Sequence, residues 1–249
     1  YRVARANPIK VTMKRRLLFL VFLCICATAC VSGGDAASKI KPVDETLPIT
    51  AFTDEELAKG EPIGWEVHPG ICRKILKKAQ PKVLELEGRR ILQVKTADDG
   101  LVLLRKVGRK ANQYPLLGWS WKVSNVLPQS REKEEGGDDY PAAVCIVYAR
   151  VFMGISYHIR GLIYVWGSNV TAGERYTSPC DERFRIIVVQ GGPEGVGQWF
   201  QHKVNHPQDY LIEFGEVPDR VYAVGIQTNT DRTHGEVEGS YADIALSRY

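Results

Sequence analysis

Carboxylates and aromatic rings, rather than thiols or histidines, offer the chemistry this sequence can do. Asp138 and Asp139 are adjacent in "GGDDYPAAVCIVY", between two glycines and Tyr140-Pro141, at the lip of an apolar run. Gly136-Gly137 permits a backbone path closed to other residues, and Pro141 fixes the start of the strand. The two anions are therefore expected to be held in place, and held neighbours of like charge need a counter-charge or a cation. Arg183, Arg131 or a bound Ca²⁺ are the candidates. One carboxylate is expected to brace the strand start and the other to face a ligand surface near Asp231.

Further along, "RVYAVGIQTNTD" alternates so that Val221, Ala223 and Gly225, then Gln227, Asn229 and Asp231, share one face. A face that turns from apolar to polar is leaving the core for a ligand surface or a solvated rim. Tyr164 and Trp166 share a face at the end of "GLIYVWG", beside a polar loop. Such a platform suits a pyranose, which presents an apolar C–H face to the ring; buried sandwich aromatics would show the same spacing. Trp119 and Trp121 share a face with Leu117 and Val123 and read as core. Asp243 lies inside the last strand pattern, where a carboxylate is costly unless paired or ligating. Oxygen ligands would suit Ca²⁺ there, although surface acids account for most such oxygens equally well.

Other chemistries lack their patterns. There is no G-x-S-x-G elbow and no H-E-x-x-H. Paired carboxylates can run glycosidase acid/base chemistry, but the E-x-D-x-x-E spacing of many sandwich-fold glycosidases is missing, so no residue is assigned a catalytic role. The five histidines are scattered; His202 and His206 fall in a strand pattern and read as surface or edge residues. "GGPEGVGQ" joins two strands with no helix after it, which makes it a loop rather than a phosphate cradle.

These residues need a scaffold and an address. Met13 is followed by Lys14, Arg15 and Arg16, an apolar run, and Ala27-Thr28-Ala29-Cys30. Basic, apolar and small segments in that order make a secretory signal, too short to span a membrane. The last four residues resemble a bacterial lipobox that would place a lipid on Cys30, with ordinary cleavage nearby as the alternative. Residues 1–12 then read as leader or an over-extended start, 13–29 as signal peptide, 30–47 as a Gly/Pro-broken tether, and 48–249 as a single domain. Val31 is not Asp, so an outer-membrane destination facing the periplasm is the default for a Gram-negative host.

Residues 1–29 hold six of the 33 Lys and Arg and none of the 29 Asp and Glu, which leaves 27 bases against 29 acids. The remainder is nearly neutral and offers no basic surface for nucleic acid. Cys72, Cys145 and Cys180 remain beyond the signal, an odd number for an oxidising compartment. One disulfide with one free thiol is allowed, as is none; Cys145 sits in a strand pattern as a small core residue.

Period-2 alternation recurs in "RRILQVKTAD", "GLVLLRKV", "PLLGWSWKV", "AAVCIVYARVF", "GLIYVWG", "RFRIIVVQ", "QWFQHKV", "RVYAVGIQTNTD" and "YADIALSR". "AVCIVYARVF" is apolar on both faces and should be central in a sheet. "PQDYLIEFG" is the one convincing helix, near 207–214, with "DEELAKG" adding a turn. The fold class is all-β, a jelly-roll β-sandwich in which the chain ends pair.

The set "PLLGWSWKV", "GGDDYPAAVCIVY", "LIYVWG", "SPC", "GQWFQHKVN", "DYLIEFGEVP" and "VGIQTNTDRT…YADIAL" resembles a bacterial family known only as domain of unknown function 3047, in order over nearly the whole mature chain. That family usually has an aromatic where Cys180 stands and an acid where Asn229 stands. The resemblance implies an envelope address and a galactose-binding-domain-like sandwich, and no reaction. The expected function is a lipid-anchored envelope protein whose sandwich binds a ligand, a glycan first. The candidate ligand-binding residues are Asp138, Asp139, Tyr164, Trp166, Arg183, Gln227 and Asp231. Alternatives are an envelope polysaccharide hydrolase or lyase using Asp138, Asp139 or Asp231, and a structural or assembly lipoprotein.

Overall fold

The structure, a computed structural model, describes residues 45–68, 79–153 and 155–249; Cys30, the signal, most of the tether and Cys72 lie outside the described residues. Two sheets pack face to face. The six-stranded sheet contains β1 (Thr46–Pro48), β3 (Pro81–Leu86), β4 (Arg89–Ala97), β6 (Leu116–Val123), β11 (Phe200–Asn205) and β13 (Glu236–Ser247). Its order is β11-β6-β13-β4-β3, with β1 also paired to β13. The seven-stranded sheet runs β2 (Glu66–His68), β5 (Gly100–Lys110), β12 (Arg220–Asn229), β7 (Ala142–Phe152), β8 (Ile155–Gly167), β10 (Phe184–Gly191), β9 (Arg175–Thr177). β8 and β10 pair in parallel. This is an all-β jelly-roll sandwich. β1 brings Thr46 and Leu47, two residues of the expected tether, into the sheet against Ser247 and Leu246.

Alternation explains the core. Leu117, Trp119, Trp121 and Val123 of β6 face Val144 and Ile146 of β7 and Tyr164 and Trp166 of β8 in one buried cluster. The Trp119 and Trp121 rings meet edge to face with centroids 5.5 Å apart, and Trp119 lies 5.4 Å from Tyr164. The seven-stranded sheet carries a second apolar layer on its other face, which includes Ala143, Cys145, Ile163, Val165, Ile186 and Val188. That second layer is why β7 and β8 are apolar at successive positions: both faces are covered. Cys145 is a free, buried thiol, whereas Cys180 is disulfide-bonded.

Two helices close the edges. α1 (Asp54–Lys59) starts at a Thr53–Glu56 capping box, and α2 (His206–Phe214) starts at Asn205, whose side chain accepts the Gln208 N–H. Each ends at a glycine with φ of +69°, Gly60 and Gly215. His206 is the first residue of α2 rather than an edge-strand residue, and it is fully buried. Its Nε2 reaches the Tyr114 carbonyl at 2.8 Å, which makes that nitrogen the donor, so Nδ1 accepts from the Tyr148 hydroxyl at 2.8 Å.

Candidate functional site

Three connections meet where β7 begins and β12 ends: the 124–141 loop, the β4–β5 turn and the β12–β13 loop. The long loop is built on its glycines. Gly136 has φ +73°, and a Cβ there would sit 3.2 Å from the Arg232 guanidinium carbon. At Gly137 a Cβ would fall 2.3 Å from the Arg131 carbonyl oxygen, so no larger residue fits that path. Two of the loop's acids are buried and used as acceptors. Glu132 accepts the Ser168 and Asn169 backbone N–H groups at 2.6 and 3.0 Å.

Asp139 is the other. Its Oδ2 accepts the backbone N–H groups of Arg232 at 3.0 Å and Thr233 at 2.7 Å, together with the Thr233 hydroxyl at 2.8 Å. Its Oδ1 accepts Asn229 Nδ2 at 3.0 Å. Burial pushes the Asp139 carboxyl up, and these donors pull it back without fully offsetting that rise. Asn229 also receives the Tyr140 N–H at 3.0 Å and gives its amide to the Asp138 carbonyl at 3.1 Å. Its side chain thus bridges Asp138, Asp139 and Tyr140.

Asp138 remains partly exposed. Burial, with repulsion from Asp139 and Asp231, raises its carboxyl to about 6, while Arg232 opposes the rise. Arg232 Nε lies 3.7 Å from Asp231 Oδ2, which makes Arg232 a counter-charge of this corner. Neither expected arginine serves. Arg183 clamps its own Asp181 through Nε at 2.9 and 3.0 Å, and Arg131 pairs with Glu134 at 3.2 Å. Arg183 precedes β10, which begins beside Gly161 in the middle of β8, whereas the corner lies beyond the Gly167 end of that strand.

Gln227 joins the corner to a groove. Its Nε2 donates to Asn229 Oδ1 at 3.1 Å. The same side chain lines a groove of about 260 Å³ on the outer face of the seven-stranded sheet, with Val102, Leu104, Cys145, Ile163 and Phe184. The Cys145 thiol, pushed up to about 12 by burial, stays neutral and acts as apolar floor. The face that ends in Gln227 and Asn229 begins at Ala223 rather than Val221. A register shift between Val221 and Ala223 puts Val221 into the core between the sheets.

Tyr164 and Trp166 do not form a ligand platform. Both are fully buried between the sheets, and their polar atoms are satisfied internally: Tyr164 donates to Asp209 at 3.0 Å and Trp166 to the Gly192 carbonyl at 3.0 Å. Asp243 is not a buried ligand. It sits exposed with φ +54° where the β13–β6 register shifts between Ala242 and Ala245. There its Oδ2 accepts from Ser120 at 2.9 Å and lies 3.5 Å from Arg89. The bulge turns the carboxylate to solvent, which removes the burial cost that suggested a cation. No group of three or more His, Cys, Asp or Glu among the described residues is placed to hold a metal ion.

A family model described as Protein of unknown function (DUF3047) matches residues 64–245, which contain every strand of both sheets except β1 and the last two residues of β13. The chain belongs to this family. The DUF3047 match takes in the whole Asp138–Asp231 corner and the groove beside it. No curated relative matches the chain. Among solved structures, it is similar to a thermostable cellulase derived from Cel12A of Rhodothermus marinus, at 12% identity and TM-score 0.42 over 81% of this chain and 98% of that one. It is also similar to endoglucanase 3 of family GH12 from Trichoderma harzianum, at 8% and 0.39 over 74% and 90%. A family 29 carbohydrate-binding module, a mutant complexed with cellulohexaose, matches at 10% and 0.30 over 83% and 94%. This is a likeness of general fold.

Sequence reasoning missed Arg232 and Thr233 as partners of the acidic pair. Their signal was "NTDRT" directly after a strand, since a Thr two residues past an Asp in a turn offers both an N–H and a hydroxyl to an incoming carboxylate.

Proposed function

We propose that this DUF3047 protein is a lipid-anchored cell-envelope protein whose sandwich binds a glycan without catalysis. The observation that carries the ligand reading is the position of Gln227, which walls an apolar groove and is hydrogen-bonded into a corner of carboxylates and amides. A sugar presents C–H faces and hydroxyls together, and a groove that sets apolar side chains beside a few polar groups suits such a ligand. The anchor reading rests on Lys14-Arg15-Arg16, the apolar run and Cys30. Calorimetric titration of the full chain with neutral and acidic oligosaccharides tests the ligand. Binding that weakens at least tenfold in Gln227→Ala supports it; heat-silent titrations across both classes sink it.

One observation favours a second reading. Asp138, its carboxyl raised to about 6, sits near Asp231, and two carboxyl groups of which one is held toward its protonated form make the arrangement that acid/base cleavage uses. On that reading the corner is a hydrolase or lyase centre. Release of reducing ends from a bound oligosaccharide, abolished by Asp138→Asn with binding retained, would select it over the binding module.

A further inference from the structure

A separate opening lies at the edge of the sandwich, between the two sheets. Gln190, Glu194, Gln198, Phe200 and His202 border about 540 Å³ where β10 ends, the chain crosses to the other sheet and β11 begins. Two of these residues are polar at positions where strand alternation calls for apolar ones. In β10, Ile187 faces the core between the sheets and Val188 the outer layer. A bulge between Val188 and Gln190 then sets Gln190 beside the buried Trp166, so its carboxamide turns inward and meets Trp121 Nε1 at 3.4 Å. In β11, Gln201, Lys203 and Asn205 are exposed while His202 faces in, its ring centroid 5.3 Å from Trp119 and 5.1 Å from Trp121.

The orphan atoms lie in the same place. His202 Nε2 is buried without a hydrogen-bond partner, and so is Trp119 Nε1. Such groups are rare because their desolvation is left uncompensated; here neighbouring strands of one sheet pair His202 with Trp119, and His202 borders the cavity. Burial holds the imidazole below its usual value and so neutral, able to accept at one nitrogen and donate at the other. Among the described lining residues the one charge is Glu194, which disfavours an anionic ligand. Amide and imidazole groups backed by aromatic rings match a neutral molecule with several hydroxyls and an apolar C–H face.

We propose that this edge cleft holds a terminal neutral sugar residue, with His202, Gln190 and Gln198 meeting its hydroxyls. The proposal rests on the glycan reading for the class of ligand, but it places a sugar outside the Gln227 groove. The test follows the indole N–H signals of Trp119 and Trp121 in ¹⁵N-labelled full chain during titration with methyl glycosides of glucose, galactose, xylose and N-acetylglucosamine. A saturable shift of the Trp119 signal with at least one of them is expected. Its affinity should fall at least tenfold in Gln190→Leu and in the exposed-side variant Gln198→Ala, which keeps the test valid if the first variant misfolds. The affinity read at the Trp119 signal should be unchanged in Gln201→Ala, on the exposed face of β11. Sugar binding lost in Gln227→Ala but kept in both cleft variants overturns the cleft and spares the glycan reading. No binding of these glycosides or of longer oligosaccharides overturns both.

Discussion

Asp139 holds Thr233 twice, accepting its backbone N–H at 2.7 Å and its hydroxyl at 2.8 Å on the same oxygen. That double contact, with the Arg232 N–H, fastens the β12–β13 loop to the start of β7. Asp139→Asn would turn an NH₂ toward donors or leave them unmet. A loss of roughly 3 kcal/mol is expected, since hydrogen bonds to buried charge are worth about 1.5–3 kcal/mol each and do not add fully. In a domain of this size that lowers Tm by roughly 6–12 °C. A melt within two degrees of the parent would mean that the loop is held by other contacts.

Asp138 should instead reveal itself through pH. Its folded-state carboxyl is raised to about 6 from 3.8, so the folded chain holds a proton there that the unfolded chain has lost. Stability from this group is present below the unfolded value and is lost as pH rises from about 4 to about 6. His206 has the opposite sign: burial lowers it to about 4, so its contribution is present above about 6.5 and lost on acidification toward 4. The two partly cancel in the parent. The stability of Asp138→Asn relative to the parent should therefore rise from pH 4 to 6 by on the order of 1–2 kcal/mol after screening and then level off, read from Tm at each pH. A difference that does not change with pH would refute the shift.

Trp121 sits at no measurable exposure between β11 and β13 neighbours, its ring against Trp119 and Trp166. Trp121→Ala should cost about 3–5 kcal/mol through lost burial and the cavity left behind. Denaturant unfolding measures this, and a loss of under about 1 kcal/mol in unfolding free energy would place the indole outside the energetic core.

The address is tested at Cys30. If that residue carries the lipid, Cys30→Ala moves the protein from the membrane fraction to the soluble one. Retention of the variant on membranes washed in high salt would rule the anchor out.

Much of the sandwich was legible because alternation reports which side chains share a face. It assigned the Leu117–Val123 face to the core and read β7 as a central strand. Alternation does not report which face receives cover, so Tyr164 and Trp166 fitted a platform and a core equally well until the second sheet was in place. Nor does it survive a bulge. One inserted residue moved Val221 inward, another turned Asp243 outward, and a third turned Gln190 in. The acidic corner was half legible: the glycines and the paired acids marked a built loop, but the partner of Asp139 lies 93 and 94 residues downstream. Nothing local distinguishes Arg232 from Arg183 or Arg131 as the counter-charge. Short strands such as β9 carry too few residues to show a period at all.

The placement of β13 bears on how the chain acquires its structure. This last strand lies at the centre of the six-stranded sheet, bonded to β4 and β6, and to β1 at the far end of the sequence. Until it emerges from the ribosome, β3 and β4 have no partner connecting them to β6 and β11, and β1 has none at all. The seven-stranded sheet has no such gap after β12, so one face of the sandwich can assemble while the other waits. Contacts spanning nearly the whole sequence also make closure slow. A stop just before β13 would therefore remove the keystone of one sheet, and would leave Leu92, Trp119 and Trp121 without their neighbour on that strand.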